Sequence, residues 1–163
     1  MTKKVIGLLA LGMLIAFGCS RETAREQMNP TAPLTNAPPI HLDAAMAQAA
    51  AEHKMVLLDF TGSDWCGPCM QLHSDVFARP EFESYAQSNL VFLTVDFPSK
   101  YQFSPETAAT NDWLAKKFDV NAFPTLIALD SHGNRIWRHV GFIGVNGPKE
   151  WIETLNAVKL KTE

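Results

Sequence analysis

The sequence lacks a basic excess: 14 Lys and Arg stand against 17 Asp and Glu, a formal charge of −3. A phosphate-binding surface wants the opposite balance, so nucleic acid is excluded as a partner. The apolar, charge-free run near the start, Val5 to Phe17, is thirteen residues, short of the roughly 20 that cross a bilayer as a helix. There is no internal repeat, no low-complexity tract beyond one proline-rich linker, and no second CxxC or any HxxxH to complete a zinc set. Cysteine is scarce, with three in 163 residues: Cys19, Cys66 and Cys69. One pair can close, and one thiol is left over.

What is present divides the chain into three. Lys3 and Lys4 precede the apolar run, and Gly18-Cys19-Ser20 follows it. A basic segment, an apolar segment and small residues at a cleavage point make residues 1–18 an export signal; the competing reading, an uncleaved anchor, meets the length objection above. Its removal takes two basic side chains and no acidic ones, leaving a mildly acidic exported protein. Residues 19–39 carry Pro30, Pro33, Pro38 and Pro39 among small polar residues and have little to bury. They read as a flexible tether with an average reach of about 25 Å. Residues 40–163 form the domain, whose composition is globular, as the whole-chain values of 47% hydrophobic and 19% charged residues indicate.

Within the domain, Asp43–Lys54 has helical spacing with Asp43 as its expected N-cap. Met55–Phe60 and Leu90–Val95 are nearly continuous apolar runs, the pattern of strands buried on both faces of a parallel or mixed sheet. A helix is expected from about Cys66 to Ala78, another from Pro80 to about Ser88, and a third from Pro105 to about Phe118 with Ser104 as cap. Thr125–Leu129 and Arg135–Val140 flank a hairpin at Asp130–Asn134, and Pro148–Leu160 closes the domain as an amphipathic helix. Strand, helix, strand, helix, strand, strand, helix is an α/β order.

Trp65-Cys66-Gly67-Pro68-Cys69 lies between the first strand and its helix. Cys66 at a helix N-terminus meets unpaired N–H groups and the positive end of the dipole, both of which favour thiolate. A redox dithiol, a structural disulfide and half of a metal site all begin from such a pair, and His73 is the sequence-near ligand for the last.

Trp65 to Cys69, Phe123-Pro124-Thr125 and Val140-Gly141-Phe142 together resemble the active-site string, the cis-proline segment and the substrate-flanking glycine loop of thioredoxin. The resemblance covers roughly residues 50–160 and implies a thioredoxin fold, a mixed central sheet flanked by helices. Thr61–Asp64 and Asp75-Val76-Phe77 are similar to exported thioredoxin-like proteins and to the thiol-transferring end domain of the bacterial disulfide-interchange system. Ile15–Cys19 resembles the lipobox of bacterial lipoproteins, with Ala16 where leucine is usual. It implies lipidation of Cys19, an anchor to the membrane (the outer membrane) and a periplasmic location; cleavage by ordinary signal peptidase would leave Cys19 free.

The family resemblance implies Cys66 as the attacking sulfur, with a pKa in the range of roughly 3.5–7.5 that includes thioredoxin itself, and Cys69 as the resolving one. Gly67 and Pro68 set a reducing poise, Trp65 shields the dithiol, and Phe123, Pro124 and Gly141 receive an extended substrate. Asp59 corresponds to a buried proton acceptor, although it precedes Cys66 by seven positions, one more than in thioredoxin, and Phe92 replaces its usual lysine partner. A buried Asp59 without that cation has a raised pKa; an exposed strand-end Asp59 has no such role. The implied function is reduction or isomerisation of disulfides in envelope proteins with no cofactor beyond the dithiol, electrons coming from a membrane thiol donor. The competing class is a copper carrier or a non-catalytic binding module on the same fold.

Overall fold

A computed structural model describes residues 42–144 and 147–161. The export signal at 1–18, Cys19 and the tether to residue 39 lie outside the described residues. Ten elements follow the order expected for an α/β chain. They are α1 (Leu42–Glu52), β1 (Met55–Thr61), α2 (Gly67–Leu72), a π-helical turn (His73–Phe77), α3 (Pro80–Asn89), β2 (Leu90–Asp96), α4 (Pro105–Lys117), β3 (Thr125–Leu129), β4 (Arg135–Val140) and α5 (Pro148–Lys159).

The sheet has the order β2-β1-β3-β4. β1 runs parallel to β2 and antiparallel to β3, and β4 pairs antiparallel with β3, so the sheet is mixed. All seven residues of β1 are buried, which is why its sequence is a continuous apolar run rather than an alternation. Its side chains still alternate between two cores. Met55 and Leu57 join Leu72, Val76, Phe82 and Leu155 from the α2, α3 and α5 side. Val56, Leu58 and Phe60 join Leu114 and Phe118 from the α4 side, with Ala45 and Ala49 of α1.

Four local expectations shift or hold in ways that matter. Asp43 lies in the first turn of α1 rather than at its cap. The helix after the dithiol is α-helical only to Leu72 and then widens into the π turn, closed by Ala78 N–H donating to His73 O at 2.8 Å. The extra residue per turn is accommodated because Val76 and Phe77, adjacent in sequence, both reach the core. Ser104 does cap α4, its hydroxyl accepting from Thr107 N–H at 3.2 Å, with Pro105 in the first turn. The hairpin turn is closed by Asp130, whose carboxylate accepts from His132 N–H and Asn134 N–H, and Gly133 supplies the positive φ of 83°.

Candidate active site

β1 ends at Thr61, and the chain turns sharply before α2. Gly62 O accepts from Cys66 N–H at 2.9 Å and from Trp65 N–H at 3.3 Å. Glycine is required there because the Trp65 indole lies directly over it, where a Cβ would overlap the ring. Cys66 then caps α2 in an extended conformation, and Pro68 fits the first turn, where its missing N–H costs nothing.

Cys66 and Cys69 are joined as a disulfide with Cα atoms 5.2 Å apart. Both are buried. Cys69 N–H donates to Cys66 Sγ at 3.3 Å, so the sulfur takes one of the helix's unpaired donors. Cys69, Leu72 and Val76 follow at helical spacing and are buried on one side, which turns Cys69 toward the sheet.

Trp65, the residue before Cys66, joins Phe97 and Phe123 in an aromatic group. Trp65 is 49% exposed; its Nε1–H donates to Phe97 O at 2.6 Å, and its ring meets Phe123 edge-on at 5.8 Å. Phe97 packs on Phe123 at 5.2 Å. The Phe123–Pro124 peptide is cis, and Pro124 O accepts from Gly141 N–H at 2.8 Å. Gly141 has φ of 83°. The structure thus links Trp65, the residue before Cys66, to Phe123 by a ring contact, and the cis Pro124 to Gly141 by a backbone bond. Gly67 has open space where a side chain would project.

Asp59 is not an exposed strand end. It is 6% exposed, and its Oδ1 has no hydrogen-bond partner among the described residues. Alternation along β1 places it on the same sheet face as Met55 and Leu57, the face that α2 covers. Burial first, and then the negative charge of Asp96, push its pKa up to about 7. Phe92, at the expected lysine position, instead packs against Phe77 at 5.1 Å and Phe82 at 6.4 Å, filling the space with rings.

A polar network beside the dithiol was not legible in the sequence. Asp96 Oδ1 accepts from Ser63 N–H at 2.8 Å, and Oδ2 accepts from Ser63 Oγ at 2.6 Å and Tyr101 Oη at 2.8 Å. Asn111 Nδ2 donates to Asp96 O at 2.8 Å. Asp64 accepts from Ser99 N–H at 2.9 Å and Lys100 N–H at 2.6 Å. Partial desolvation opposes the Asp64 charge, but these donors together with the Ser99 hydroxyl hold its carboxyl below the usual range. Burial raises the Tyr101 phenol, and the bond to Asp96 adds to that. These partners are more than 30 residues apart in most cases, so no local pattern announces them. His73 is exposed, and no three His, Cys, Asp or Glu side chains among the described residues cluster as a metal site.

The thioredoxin-like domain family matches residues 42–159. The disulfide bond reductase DsbH of Chlamydia pneumoniae is 32% identical over 117 residues, which are 72% of this chain and 70% of that protein. The thiol:disulfide interchange protein DsbD of Haemophilus influenzae is 30% identical over 116 residues, 70% of this chain but only 18% of that longer protein. Among solved structures, a DsbH oxidoreductase superposes with a TM-score of 0.68 at 28% identity, covering 83% of this chain and 94% of that one. The reduced C-terminal domain of Neisseria meningitidis DsbD gives 0.53 at 28% identity, over 71% and 92%. The match runs through every described element from α1 to α5, and the chain belongs to the thioredoxin-like family as a thiol-disulfide oxidoreductase whose redox centre is Cys66–Cys69.

Proposed function

We propose that this oxidoreductase works as a reductant of disulfides in exported proteins, held at the periplasmic face of a membrane by a lipid on Cys19 and a tether to residue 39. The observation that carries the reading is Cys66 at the cap of α2, its sulfur accepting from Cys69 N–H, with Gly67 and Pro68 between the cysteines. A donor aimed at that sulfur stabilises the thiolate once the disulfide is opened. The likeness to the reductase DsbH supports the direction of electron flow, and the basic, apolar and small-residue order of residues 1–19 supports export.

In the reaction, the Cys66 thiolate attacks one sulfur of a substrate disulfide. The substrate S–S bond breaks, a mixed disulfide forms, and the departing substrate thiolate takes a proton. Asp59 accepts the proton of the Cys69 thiol. The Cys69 thiolate then attacks Cys66 Sγ, restoring the Cys66–Cys69 disulfide and releasing the second substrate sulfur as thiolate. Two electrons leave the protein in each cycle. A membrane-held dithiol returns them, since an oxidising compartment leaves the pair closed. Phe123, Pro124 and Gly141 position the substrate segment beside Cys66, and Trp65 shields the pair. No cofactor is needed beyond the dithiol.

A Cys69→Ser variant expressed in native envelopes tests this. It should accumulate substrates as mixed disulfides on Cys66 in the membrane fraction, released by dithiothreitol. An empty trap would sink the substrate-handling reading, and recovery only in the soluble fraction would remove the anchor.

A further inference from the structure

Asp59 and Asp96 are two buried carboxylates on one face of the sheet, and the reaction above uses only the first. The β1–β2 register pairs Asp59 with Thr94 and Thr61 with Asp96, so the two aspartates are diagonal neighbours. A strand spacing of about 4.8 Å and a rise of about 6.6 Å over two residues put their Cα atoms about 8 Å apart. Asp96 is fixed by the two groups of Ser63 and by Tyr101, and all of them come from the loops that border the dithiol.

Among the described residues, the other titratable groups toward that face are Cys69, buried on α2, Tyr85 from α3 and, at the far edge, His139 of β4 against Trp151 of α5. The π turn presents Val76 and Phe77, and Phe92 stands where a cation is expected. The charge that acts on Asp59 beside its burial is the negative one of Asp96.

We propose that Asp96 is a positioning residue for the dithiol chemistry: fixed by Ser63 and Tyr101, its carboxylate sets how firmly Asp59 holds the proton taken from Cys69. A neighbouring anion makes Asp59 a stronger base than burial alone would, and so better matched to a thiol. Anchoring that anion in the loop next to Trp65 ties proton transfer to the geometry of the site entrance. This inference rests on Asp59 accepting the Cys69 proton.

The test loads Cys66 of the reduced full-length protein with thionitrobenzoate and follows its release by Cys69 from pH 5 to 9 in single turnover. The wild type should show a rising limb centred near 7, the value to which Asp59 is raised. Asp59→Asn should abolish that limb; if the limb persists, the underlying reading of Asp59 fails. Asp96→Asn should move the limb down by about half a unit or more, so that the variant compares better with wild type at pH 6 than at pH 8. Tyr101→Phe loosens the same loop but keeps the charge, and should not move the limb down. A uniform slowing by Asp96→Asn at every pH, or an equal downward shift from Tyr101→Phe, would overturn the role of Asp96 while leaving Asp59 in place. A second measurement follows Asp59 alone: its carboxyl ¹³C titration in Asp96→Asn should have a midpoint below that of the wild type. An unchanged midpoint would overturn the proposal.

Discussion

The disulfide has two sides, and they are built differently. On one side, the turn carrying Ser63, Asp64 and Trp65 is fastened to the 97–101 loop through Asp96, Tyr101, Ser99, Lys100 and the Phe97 carbonyl. On the other, the Phe123–Pro124 segment meets the loop after β4 through one backbone bond, Gly141 N–H to Pro124 O. That loop then exposes Ile143, 84% accessible. Side-chain acceptors that gather backbone donors hold the first side to one geometry. A loop that buries Phe142 in the core and leaves the next residue, Ile143, in solvent has apolar contact still to make. In the proposed reaction, the tied side fixes the cysteines and Asp59, and the open side is the surface offered to a partner chain.

The sharpest way to break this comparison is at the base of the tied side. Asp59 has a raised pKa in the fold and an ordinary one near 3.9 when unfolded. Between those values the native state binds more protons than the unfolded state, so the stability of the oxidised protein falls as pH rises from about 4 to about 7 and then levels off. Asp59→Asn removes that loss. Urea unfolding should show the variant gaining on wild type across this window, reaching a few kcal/mol at pH 8. A constant difference from pH 4 to 8 would show that Asp59 is not a strained acid and that the tied side holds no proton there.

The open side should respond on a smaller scale. Gly141 has φ of 83°, and a Cβ added there would project into open space with no atom within 4 Å, so Gly141→Ala meets conformational cost without a clash. A loss of about 1–2 kcal/mol is expected in urea unfolding. No loss would mean that the backbone relaxes out of the left-handed region, and that the open side is looser than its bond to Pro124 implies.

How much of this the sequence revealed follows from range. β1 and β2 were legible because burial on both faces leaves no polar residue to interrupt Met55–Leu58 or Leu90–Leu93. α4 was legible because Ser104 and Pro105 are a local start signal. The dithiol, Phe123-Pro124 and Gly141 were found through resemblance, since nothing local specifies a cis peptide. The π turn was missed because its residues have ordinary helical periodicity until Val76 and Phe77. The Asp96 network was missed for a different reason: Asp96 reads as a strand terminator, and its value lies in Ser63, 33 positions earlier, and in the fold that brings them together.

The smallest expected effect is also the one that decides what the open side is for. Ile143 is bracketed by two contacts. Gly141, two residues before, is bonded to Pro124, and Gly144, just after, lies against the Gln71 side chain of α2 closely enough that a Cβ there would overlap it. An isoleucine with 84% of its surface in solvent contributes little to folding, so Ile143→Ser should change stability by no more than about 0.5 kcal/mol. If a substrate chain covers part of it, the lost apolar contact is worth about 1 kcal/mol. KM for a protein disulfide should then rise about three- to ten-fold with kcat unchanged, the signature of binding that is uniform between ground and transition states. A small disulfide such as oxidised glutathione reaches Cys66 without touching that loop, and its rate should not move. An equal loss with both substrates would place the effect of Ile143 on the dithiol itself, and the open side would then be an extension of the tied one.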